Sequence, residues 1–436
     1  MGGELRWTAE LSRALDCEMA LADKLFRALA EKTGNPGGKG VMRDSYGKGE
    51  QIAHDLCTEA ARALDLEVST DLAGNLYMTM PGEDRAAPAW FTGSHLDSVP
   101  SGGNFDGAAG VIAGLAALAA FRRAGAGLPR DVTVVGTRAE EVGSWYTGRH
   151  SGHVGSRAAL GVLSEDELDS AVRQDTGLSM RRYMEQSGLD PKALFASPPH
   201  LTPSRLRGWV ELHIEQGPVL EREGYPVGVV TGIRGTVRAR EAACIGGYTH
   251  SGAVPREYRQ DAVIAAADFI DEMDQAWERA LADGRDMVFT VGKLYTDARV
   301  HALSKVPGEV RFCIDVRSQD EKVLADMTAL IQRHAQAIGE KRRVRFEIGP
   351  VSLQHPAVMD ATFRKTLTEG CRSLGIPAMD IPSGAGHDAA EFAHMGVPAA
   401  MIFVRNANGS HNPDEAMEMD DFALATRLLA WFFATH

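Results

Sequence analysis

The strongest constraint on the fold is a short apolar strand, a glycine-rich loop, a helix and a second strand in immediate succession. The strand at 89–92 leads into the loop, and the helix Ala108–Arg123 is rich in Ala and Leu and free of Pro. The β-branched run at 132–135 is typical of a short buried strand. Because strand–helix–strand order sets parallel strands side by side, the sequence predicts an α/β layer on a mixed, largely parallel sheet flanked by helices.

Other segments extend this layer on both sides. Apolar periodicity predicts helices at 9–33, 48–64, 362–374 and 422–435, and strands at 66–69, 75–79 and 399–404. The stretch 143–161 is dense in Gly, Ser and His, which predicts an irregular loop.

The middle of the chain follows a different pattern. Its predicted elements are a strand at 237–245, a helix at 260–282, strands at 287–294 and 310–316, a helix at 321–338 and a strand near 344–348. This βαββαβ order is typical of a compact α+β domain. We therefore predict an inserted domain at 232–350, within a larger α/β domain formed by 1–231 and 351–436.

Composition excludes several classes of protein. The 436 residues carry 46 Lys and Arg against 59 Asp and Glu, and no basic run interrupts the acidic balance, so nucleic-acid binding is not expected. The longest apolar stretch, 110–121, is about a dozen residues, whereas a membrane span needs roughly 20. The polar N-terminus does not resemble a signal peptide. Five cysteines without a CxxC pair indicate reduced thiols, so we expect a cytoplasmic protein.

The richest segment for chemistry is GSHLDSVPSGGNFDGAAG, from 93 to 110. His95 and Asp97 are two residues apart at a strand end, so both point to one face, and Asp97 can orient a metal-bound imidazole. Asp106 follows a glycine-rich loop at the strand-to-helix junction, where a carboxylate can approach a metal closely. A lone histidine here would be an ordinary surface residue, but two nearby carboxylates favour a metal site.

Further candidates follow other predicted strands. Glu140 and Glu141 come after the predicted strand in VTVVGTR. Adjacent carboxylates usually form a solvated turn. However, open α/β sheets bind ligands at the carboxyl ends of their parallel strands, where one glutamate could bind metal and the other act as base. Four histidine motifs come later, and they are HIEQGPVLE with His213, THSGAVP with His250, SGAGHDA with His387, and GSHNPDE with His411. Histidine and carboxylate ligands without Cys suit Zn, Mn, Co or Ni in a hydrolytic centre.

Together these motifs resemble a known family. The set HLDSV, GGNFDGAAGV, EE, HIEQGPVLE, THSGAVP, VPGEVRFCIDVR, SGAGHDA and GSHNPDE is similar to the hydantoinase/carbamoylase-type amidases of the M20 metallopeptidase superfamily. That group includes N-carbamoyl-L-amino acid hydrolases, allantoate amidohydrolases and β-ureidopropionases. The resemblance runs from about Trp7 to the C-terminus. It implies a catalytic α/β domain and an inserted lid domain that commonly forms a homodimer.

The resemblance also implies a role for each matching residue. Two divalent ions would share Asp106, with His95 and His213 on one ion and Glu141 and His411 on the other. Glu140 would be the general base acting on a water that bridges the ions, with Asp97 in support. The remaining roles are an oxyanion donor at His250 from the lid or the partner subunit, a carboxylate clamp at Arg317, a ureido or amide contact at Gln216, and backbone donors at Gly384, Ala385 and Gly386.

Two departures from the family pattern lie near the expected pocket. Trp145 and Tyr146 replace an Arg-Phe pair after the two glutamates, and Ser304 replaces an Asn that helps to hold the substrate. We expect both changes to alter the pocket wall. Because Arg317 still supplies a permanently charged fork, we expect the substrate to remain an anion, with a bulkier or less polar group near Ser304 that packs on Trp145 or Tyr146. Alternatively, another side chain such as His301 fills the position.

Three functional hypotheses follow. The first is a metal-dependent amidohydrolase that cleaves the C–N bond of a linear N-carbamoyl amino acid or related ureido compound. The second is an aminoacylase or dipeptidase of the same superfamily. The third is an inactive scaffold, which should have lost a ligand or the base, yet all six of those positions are present. The expected partners are a small, anionic ureido or amide substrate and a second copy of the chain.

Overall fold

A computed structural model gives the fold and describes residues 7–148 and 152–436. The described helices, in chain order, are α1 Ala9–Lys32, α2 Lys48–Ala63, α3 Ala108–Arg123, α4 Val142–Trp145, α5 Val154–Ala159, α6 Glu165–Ser170, α7 Met180–Gln186, α8 Pro191–Ala196, α9 Val219–Glu223, α10 Ala262–Ala282, α11 Glu321–Arg342, α12 Ala361–Leu374, α13 Asp388–His394 and α14 Met419–Thr435. None of the helices among these residues is both long and apolar enough to cross a membrane.

The strands, in chain order, are β1 Glu67–Thr70, β2 Leu76–Met80, β3 Ala89–His95, β4 Val132–Thr137, β5 Tyr146–Thr147, β6 Val172–Arg173, β7 Leu206–Ile214, β8 Val227–Ile233, β9 Gly235–Ile245, β10 Thr249–His250, β11 Val288–Thr290, β12 Leu294–Tyr295, β13 Lys305–Val306, β14 Glu309–Ser318, β15 Arg345–Glu347, β16 Val351–Gln354, β17 Ala357–Val358, β18 Ala378–Ser383, β19 Ala399–Val404, β20 Asn406–Ala407 and β21 Ala416–Met417. They belong to two compact units: residues up to 231 together with 358–436, and the segment 232–357.

The first unit contains a nine-stranded mixed sheet. Its order is β1-β2-β4-β3-β7-β19-β8-β17, with β18 paired to β8. The four central strands β4, β3, β7 and β19 run parallel, and antiparallel strands flank them on both sides. The predicted mixed, largely parallel α/β sheet is therefore confirmed. All four central strands deliver their carboxyl ends to one edge of the sheet.

Helix α3 explains why the central strands are so apolar. Every residue from Ala108 to Phe121 is buried. This is possible because the helix is apolar on all of its faces, with mostly Ala, Gly, Val, Ile and Leu. The helix packs between the sheet and the helices α1 and α14. Gly110 makes this approach possible, because a Cβ there would lie 2.3 Å from the carbonyl oxygen of Leu212.

The second unit has its own sheet and its own core. The antiparallel order is β11-β14-β9-β15, with β12 on β14 and β16 on β9. Helices α10 and α11 pack on β9 and β14 around Phe269, Phe312 and Phe346, whose ring centroids lie 5.5–6.3 Å apart. The main elements follow the predicted βαββαβ order. The unit reaches Ala357 rather than the predicted 350, because β16 pairs with β9 after the last predicted strand.

Several elements were not predicted. Strands β8 and β18 and the short helices α6 to α8 lie in stretches that carried no assignment. The predicted irregular loop at 143–161 instead contains most of α4 and all of α5, although its residues 149–151 lie outside the described part of the chain.

Candidate metal centre

Four motif regions meet at the carboxyl edge of the parallel strands. His95 is the last residue of β3, and His213 is the penultimate residue of β7. Glu140 and Glu141 follow β4 within four residues, and His411 follows β19. Because parallel strands in one sheet end on the same side, this edge gathers residues that are far apart in sequence.

One group of ligand atoms forms a nearly equilateral triangle. His95 Nε2 lies 3.4 Å from Asp106 Oδ1, and His213 Nε2 lies 3.2 Å from the same oxygen. The two Nε2 atoms are 3.5 Å apart. Ligand atoms bound at about 2.0–2.1 Å to a tetrahedral ion lie roughly 3.3–3.4 Å from one another. This triangle therefore has the dimensions of a metal-binding face.

The other carboxylate oxygen of Asp106 faces a second group. Asp106 Oδ2 lies 3.5 Å from His411 Nε2, which in turn lies 2.8 Å from Glu141 Oε1. The three residues can supply ligand atoms that all lie within 4.8 Å of one another. Asp106 thus presents one oxygen to each group, as a carboxylate that bridges two ions must.

The hydrogen bonding and the charges of these residues suit a bound metal ion. Asp106 Oδ1 is buried and has no hydrogen-bond partner among the described residues, although two imidazoles point at it. Burial alone would raise the pKa of Asp106, but the imidazoles of His213 and His95 outweigh it and hold that pKa well below its usual range. A hydrogen bond that His411 donates to Glu141 raises the pKa of His411 to about 9. The buried oxygen and the surrounding anionic charge suit a cation.

The local backbone explains why His95 and Asp106 approach so closely. His95 Nδ1 lies 3.1 Å from the carbonyl oxygen of Asp97, which leaves Nε2 for a metal. Gly107 has φ 68°, and a Cβ there would lie 2.5 Å from the His95 ring. Only glycine lets the chain pass over the imidazole at this point.

Asp97 holds the two glutamates as well as the histidine. Its carboxylate accepts hydrogen bonds from the backbone N–H groups of Glu140 and Glu141, at 3.1 and 3.0 Å, and from the Ser45 hydroxyl at 2.6 Å. Its Oδ1 is also 3.4 Å from His95 Nδ1. Asp97 therefore contacts both glutamates and His95, and its supporting role in catalysis remains a prediction.

Asp106 has supports that the sequence reasoning did not single out. Glu415 accepts hydrogen bonds from the N–H groups of Phe105 and Asp106, at 2.9 and 3.2 Å. Ser410 Oγ lies 2.6 Å from both Asp106 Oδ2 and Glu415 Oε2. The expected substrate contact Gln216 instead donates from Nε2 to Asp106 Oδ2 at 2.9 Å. Glu415 and Ser410 both lie in the GSHNPDE motif, so their position next to His411 was the sequence feature that could have identified them.

A second buried layer lies beneath the ligands. His387 packs edge-on against His213 with ring centroids 4.4 Å apart, and its Nε2 lies 2.8 Å from Ser383 Oγ. Burial, followed by repulsion from His213, holds the pKa of His387 well below its usual value, so this imidazole is neutral. Glu211 and Asp388 are also fully buried there. Burial and then the Asp388 charge raise the pKa of Glu211 to about 7.

The glycine loop after β18 lies beside this layer. Ser383 Oγ accepts a hydrogen bond from the Ala385 N–H at 3.2 Å, so that amide already has a partner. Gly386 lies beside His153, a residue that contacts Glu140, because a Cβ on Gly386 would lie 3.0 Å from His153 Nε2. The roles expected for Gly384, Ala385 and Gly386 remain predictions.

Three predicted substrate residues belong to the second unit. His250 and Ser304 are neighbours there, since β10 pairs with β13 and the Ser251 N–H donates to the Ser304 carbonyl at 2.9 Å. His250 is exposed, and its Nδ1 accepts hydrogen bonds from the N–H groups of Gly252 and Ala253, both at 3.1 Å. The ring proton is therefore on Nε2, which can donate.

Arg317 lies elsewhere in the second unit. It is on the face of β14 opposite the helices and makes two contacts of 3.1 Å with Asp315, which also binds Arg238. Arg317 keeps its guanidinium half-exposed. The alternative candidate His301 is exposed and hydrogen-bonded to Thr296 at 2.8 Å.

The expected part of Trp145 and Tyr146 in the pocket wall is wrong. Both side chains are buried, at 6% and 1% exposure, in a cluster with Val142, Val154 and Leu168. Trp145 Nε1 donates to the Ser98 carbonyl at 2.7 Å, and the Arg173 guanidinium lies 4.6 Å from its ring centroid. Large aromatic rings gain more by packing inside than by lining a wet pocket. They stabilise the loop that carries the glutamates.

Comparison with known proteins finds relatives across almost the whole chain. A model of peptidase family M20/M25/M40 matches residues 91–434. The chain is 33% identical over 414 residues to an N-carbamoyl-L-amino acid amidohydrolase of Geobacillus stearothermophilus, which covers 94% of this chain and 97% of that protein. It is 34% identical to the allantoate amidohydrolase of Escherichia coli (strain K12), covering 84% and 86%. A crystal structure of a hydantoinase/carbamoylase family amidase from Burkholderia multivorans has a TM-score of 0.86 at 28% identity, covering 96% and 98%.

Proposed function

The chain belongs to peptidase family M20/M25/M40, a family of hydrolases, and on that basis we propose that it is a metal-dependent amidohydrolase of linear N-carbamoyl amino acids or related ureido compounds. One observation carries the proposal. Asp106 presents one carboxylate oxygen to His95 and His213 and the other to His411 and Glu141. Glu140 can bring a carboxylate oxygen close to His95 and Glu141, and it pairs with His153, so we assign it the role of the base.

The chemistry divides between the ions and the side chains. Two divalent ions held by these five residues would lower the pKa of water and stabilise the charge that develops on the attacked carbonyl. Glu140 takes a proton from the water and passes it to the leaving nitrogen. For an N-carbamoyl amino acid, the carbamoyl carbon gains the water oxygen and loses its bond to the amino-acid nitrogen, which takes the proton. The carbamic acid that is released then breaks down to ammonia and carbon dioxide. The products are the amino acid, ammonia and carbon dioxide.

The second unit supplies substrate recognition in this proposal. His250 donates its Nε2 proton to the developing oxyanion, a role that its Nδ1 acceptor contacts favour. Arg317 binds the substrate carboxylate with its planar guanidinium, exchanging Asp315 for the substrate. Ser304, adjacent to His250, leaves space for a bulkier group on an anionic substrate. We propose a homodimer through this lid domain.

The donor set restricts the metals. Imidazole and carboxylate ligands without thiolates suit Zn, Mn, Co or Ni, and we propose that two of these ions bind per subunit. We also propose that the enzyme works in the cytoplasm, because all five cysteines are free. Neither nucleic acid nor membrane is expected as a partner.

A substrate panel tests the proposal. The protein is stripped of metal, reconstituted separately with Mn, Co, Ni and Zn, and assayed for ammonia from N-carbamoyl amino acids and allantoate. The same preparations are assayed for amine release from N-acetyl amino acids and dipeptides. Ammonia release supports the proposal. Amine release alone would identify the alternative, an aminoacylase or dipeptidase, and no turnover with any metal would favour an inactive scaffold.

A further inference from the structure

We infer that His153 is a positioning residue that holds the general base Glu140, and that Glu391 in turn holds His153. His153 Nε2 lies 3.1 Å from Glu140 Oε1, and His153 Nδ1 lies 2.8 Å from Glu391 Oε1. The three side chains form a line from α13 to the base. The inference rests on the proposed role of Glu140.

The arrangement is buried and local. The side chains of His153, Glu140 and Glu391 are 13%, 10% and 19% exposed, so solvent competes weakly for their hydrogen bonds. His153 also borders the glycine loop, since its ring would lie 3.0 Å from a Cβ on Gly386. It therefore contacts both the base and the edge of the expected substrate loop.

The backbone around His153 is built to present its ring. His153 has φ 46°, a left-handed conformation that is uncommon outside glycine. The following N–H groups of Val154 and Gly155 donate to the carbonyls of Ala139 and Arg138, at 3.2 and 2.8 Å. The segment 153–155 is thus tied directly to the residues that precede Glu140.

A second contact fixes the helix that carries Glu391. Ser156 Oγ donates to Asp388 Oδ1 at 2.6 Å, which joins α5 to the start of α13. The charged and polar groups around His153 are then Glu140, Glu391 and Asp388, with Arg157 beside Glu391. With Oε1 of Glu140 bound by His153, its Oε2 is the oxygen available for proton transfer.

The geometry separates two roles for His153 that a matched pair of variants can distinguish. A glutamine amide nitrogen can replace Nε2 and keep the bond to Glu140, whereas an asparagine amide nitrogen replaces Nδ1 and can reach only toward Glu391. Asn also adopts the left-handed conformation more readily than Gln. A purely structural role therefore favours His153→Asn, and a positioning role favours His153→Gln.

The experiment measures kinetics, metal content and structure for both variants on the best substrate of the panel. We expect His153→Asn to lower kcat by roughly 10- to 100-fold, as a displaced catalytic group does, with KM within about twofold of wild type and two ions retained. His153→Gln should keep kcat within about threefold. Glu391→Gln, which keeps an acceptor for Nδ1, should do the same. His355→Ala removes an exposed His–Glu pair of similar length, 2.9 Å, and should change nothing.

Crystal structures make the test independent of turnover. Glu140 should change rotamer in His153→Asn and keep its position in His153→Gln. If wild type hydrolyses no substrate of the panel, the proposed function fails, but the Glu140 position in the two variants still decides this inference. Equal kcat for both variants, or an unmoved Glu140 carboxylate in His153→Asn, would overturn it.

Discussion

Asp106 is the residue on which both ligand groups depend. Its Oδ1 faces His95 and His213 and its Oδ2 faces His411, so its removal takes an oxygen from each group, whereas removal of His411 affects one group only. We expect Asp106→Ala to lose both ions and His411→Ala to retain one. Elemental analysis after gel filtration measures the number of ions per subunit. Two ions in Asp106→Ala would refute the bridging assignment.

Glu140 is distinguished from its neighbour by what it contacts. Glu141 pairs with His411 at 2.8 Å, while Glu140 pairs with His153 at 3.1 Å. We therefore expect Glu140→Gln to keep two ions and to lose roughly 10²- to 10⁴-fold in kcat, the usual contribution of a general base. Glu141→Gln is the matched control and should lose an ion. Metal loss from Glu140→Gln would instead make Glu140 a ligand.

Residues of the motifs were predictable, and their partners were not. His95, Asp106, Glu140, Glu141, His213 and His411 meet because each follows or ends a parallel strand, and strand ends can be read from sequence. The contact between His153 and Glu391 joins residues 238 positions apart that belong to no strand-end pattern. Trp145 and Tyr146 were placed at the pocket because they follow the glutamates, but burial of large apolar surface decided their position.

At the scale of elements, α3 begins two residues after Asp106 and packs against the sheet. A Cβ on Gly110 would lie 2.3 Å from the Leu212 carbonyl on β7 and 2.8 Å from Ser94 Cβ on β3. Overpacking costs about 1–3 kcal/mol, which exceeds the roughly 1 kcal/mol that Ala gains over Gly in a helix. We expect Gly110→Ala to lower both the free energy of unfolding and the metal affinity.

Gly127 offers a matched control for that substitution. A Cβ there meets only Glu83 Oε1 at 3.5 Å, so Gly127→Ala should change the free energy of unfolding by less than about 0.5 kcal/mol. Urea denaturation of the metal-loaded variants measures both effects. Equal stability of the two variants would mean that α3 can move away from the sheet.

Strand β7 carries a pH-dependent group beneath the ligands. Glu211 accepts hydrogen bonds from Ser94, Trp209 and Ala389, and burial with the Asp388 charge raises its pKa from 4.5 to about 7. A carboxyl group with a raised pKa in the folded state contributes stability below its unfolded pKa. That stability is lost as the pH rises toward 7.

Glu211→Gln removes this dependence. Between pH 5.5 and 7.5 the wild type should lose about 1–2 kcal/mol more of its free energy of unfolding than the variant does. Urea denaturation of metal-free protein at the two pH values measures the difference. A constant offset between variant and wild type across this range would show that Glu211 is ionised throughout.

Some elements could not be predicted because their sequences lack the usual pattern of a strand or a helix. Strand β18 contains Pro382, which argues against a central strand but is tolerated where the ladder needs no N–H, as at a sheet margin. Helices α7 and α8 have seven and six residues, too few to show a period of 3.6. Their N-terminal caps Ser179 and Asp190 were the readable signals.

At the scale of the whole molecule, the predicted insertion at 232–350 ends a few residues before the chain re-enters the first unit at Val358. Gly235 lies against the return segment, because a Cβ there would be 2.5 Å from both the Gln354 carbonyl and Pro356 N. Thr236 pairs with Gln354 in the antiparallel ladder. The segment between them has its own core, and all five proposed metal ligands lie in the other unit. Metal binding and substrate binding should therefore be separable by deletion.

Replacing 236–354 with a two-residue Asn-Gly turn tests that separation. The turn can bridge the paired positions of an antiparallel ladder, so the first unit should fold and retain two ions, because His95, Asp106 and His213 are untouched. Amidohydrolase activity should fall below detection, since His250 and Arg317 are removed together. Intact chain with His250→Ala is the control, and it should keep roughly 10⁻² to 10⁻³ of wild-type kcat. Full activity in the deletion variant would mean that substrate binds entirely within the first unit, and loss of both ions would mean that the ligand cluster cannot form without the insertion.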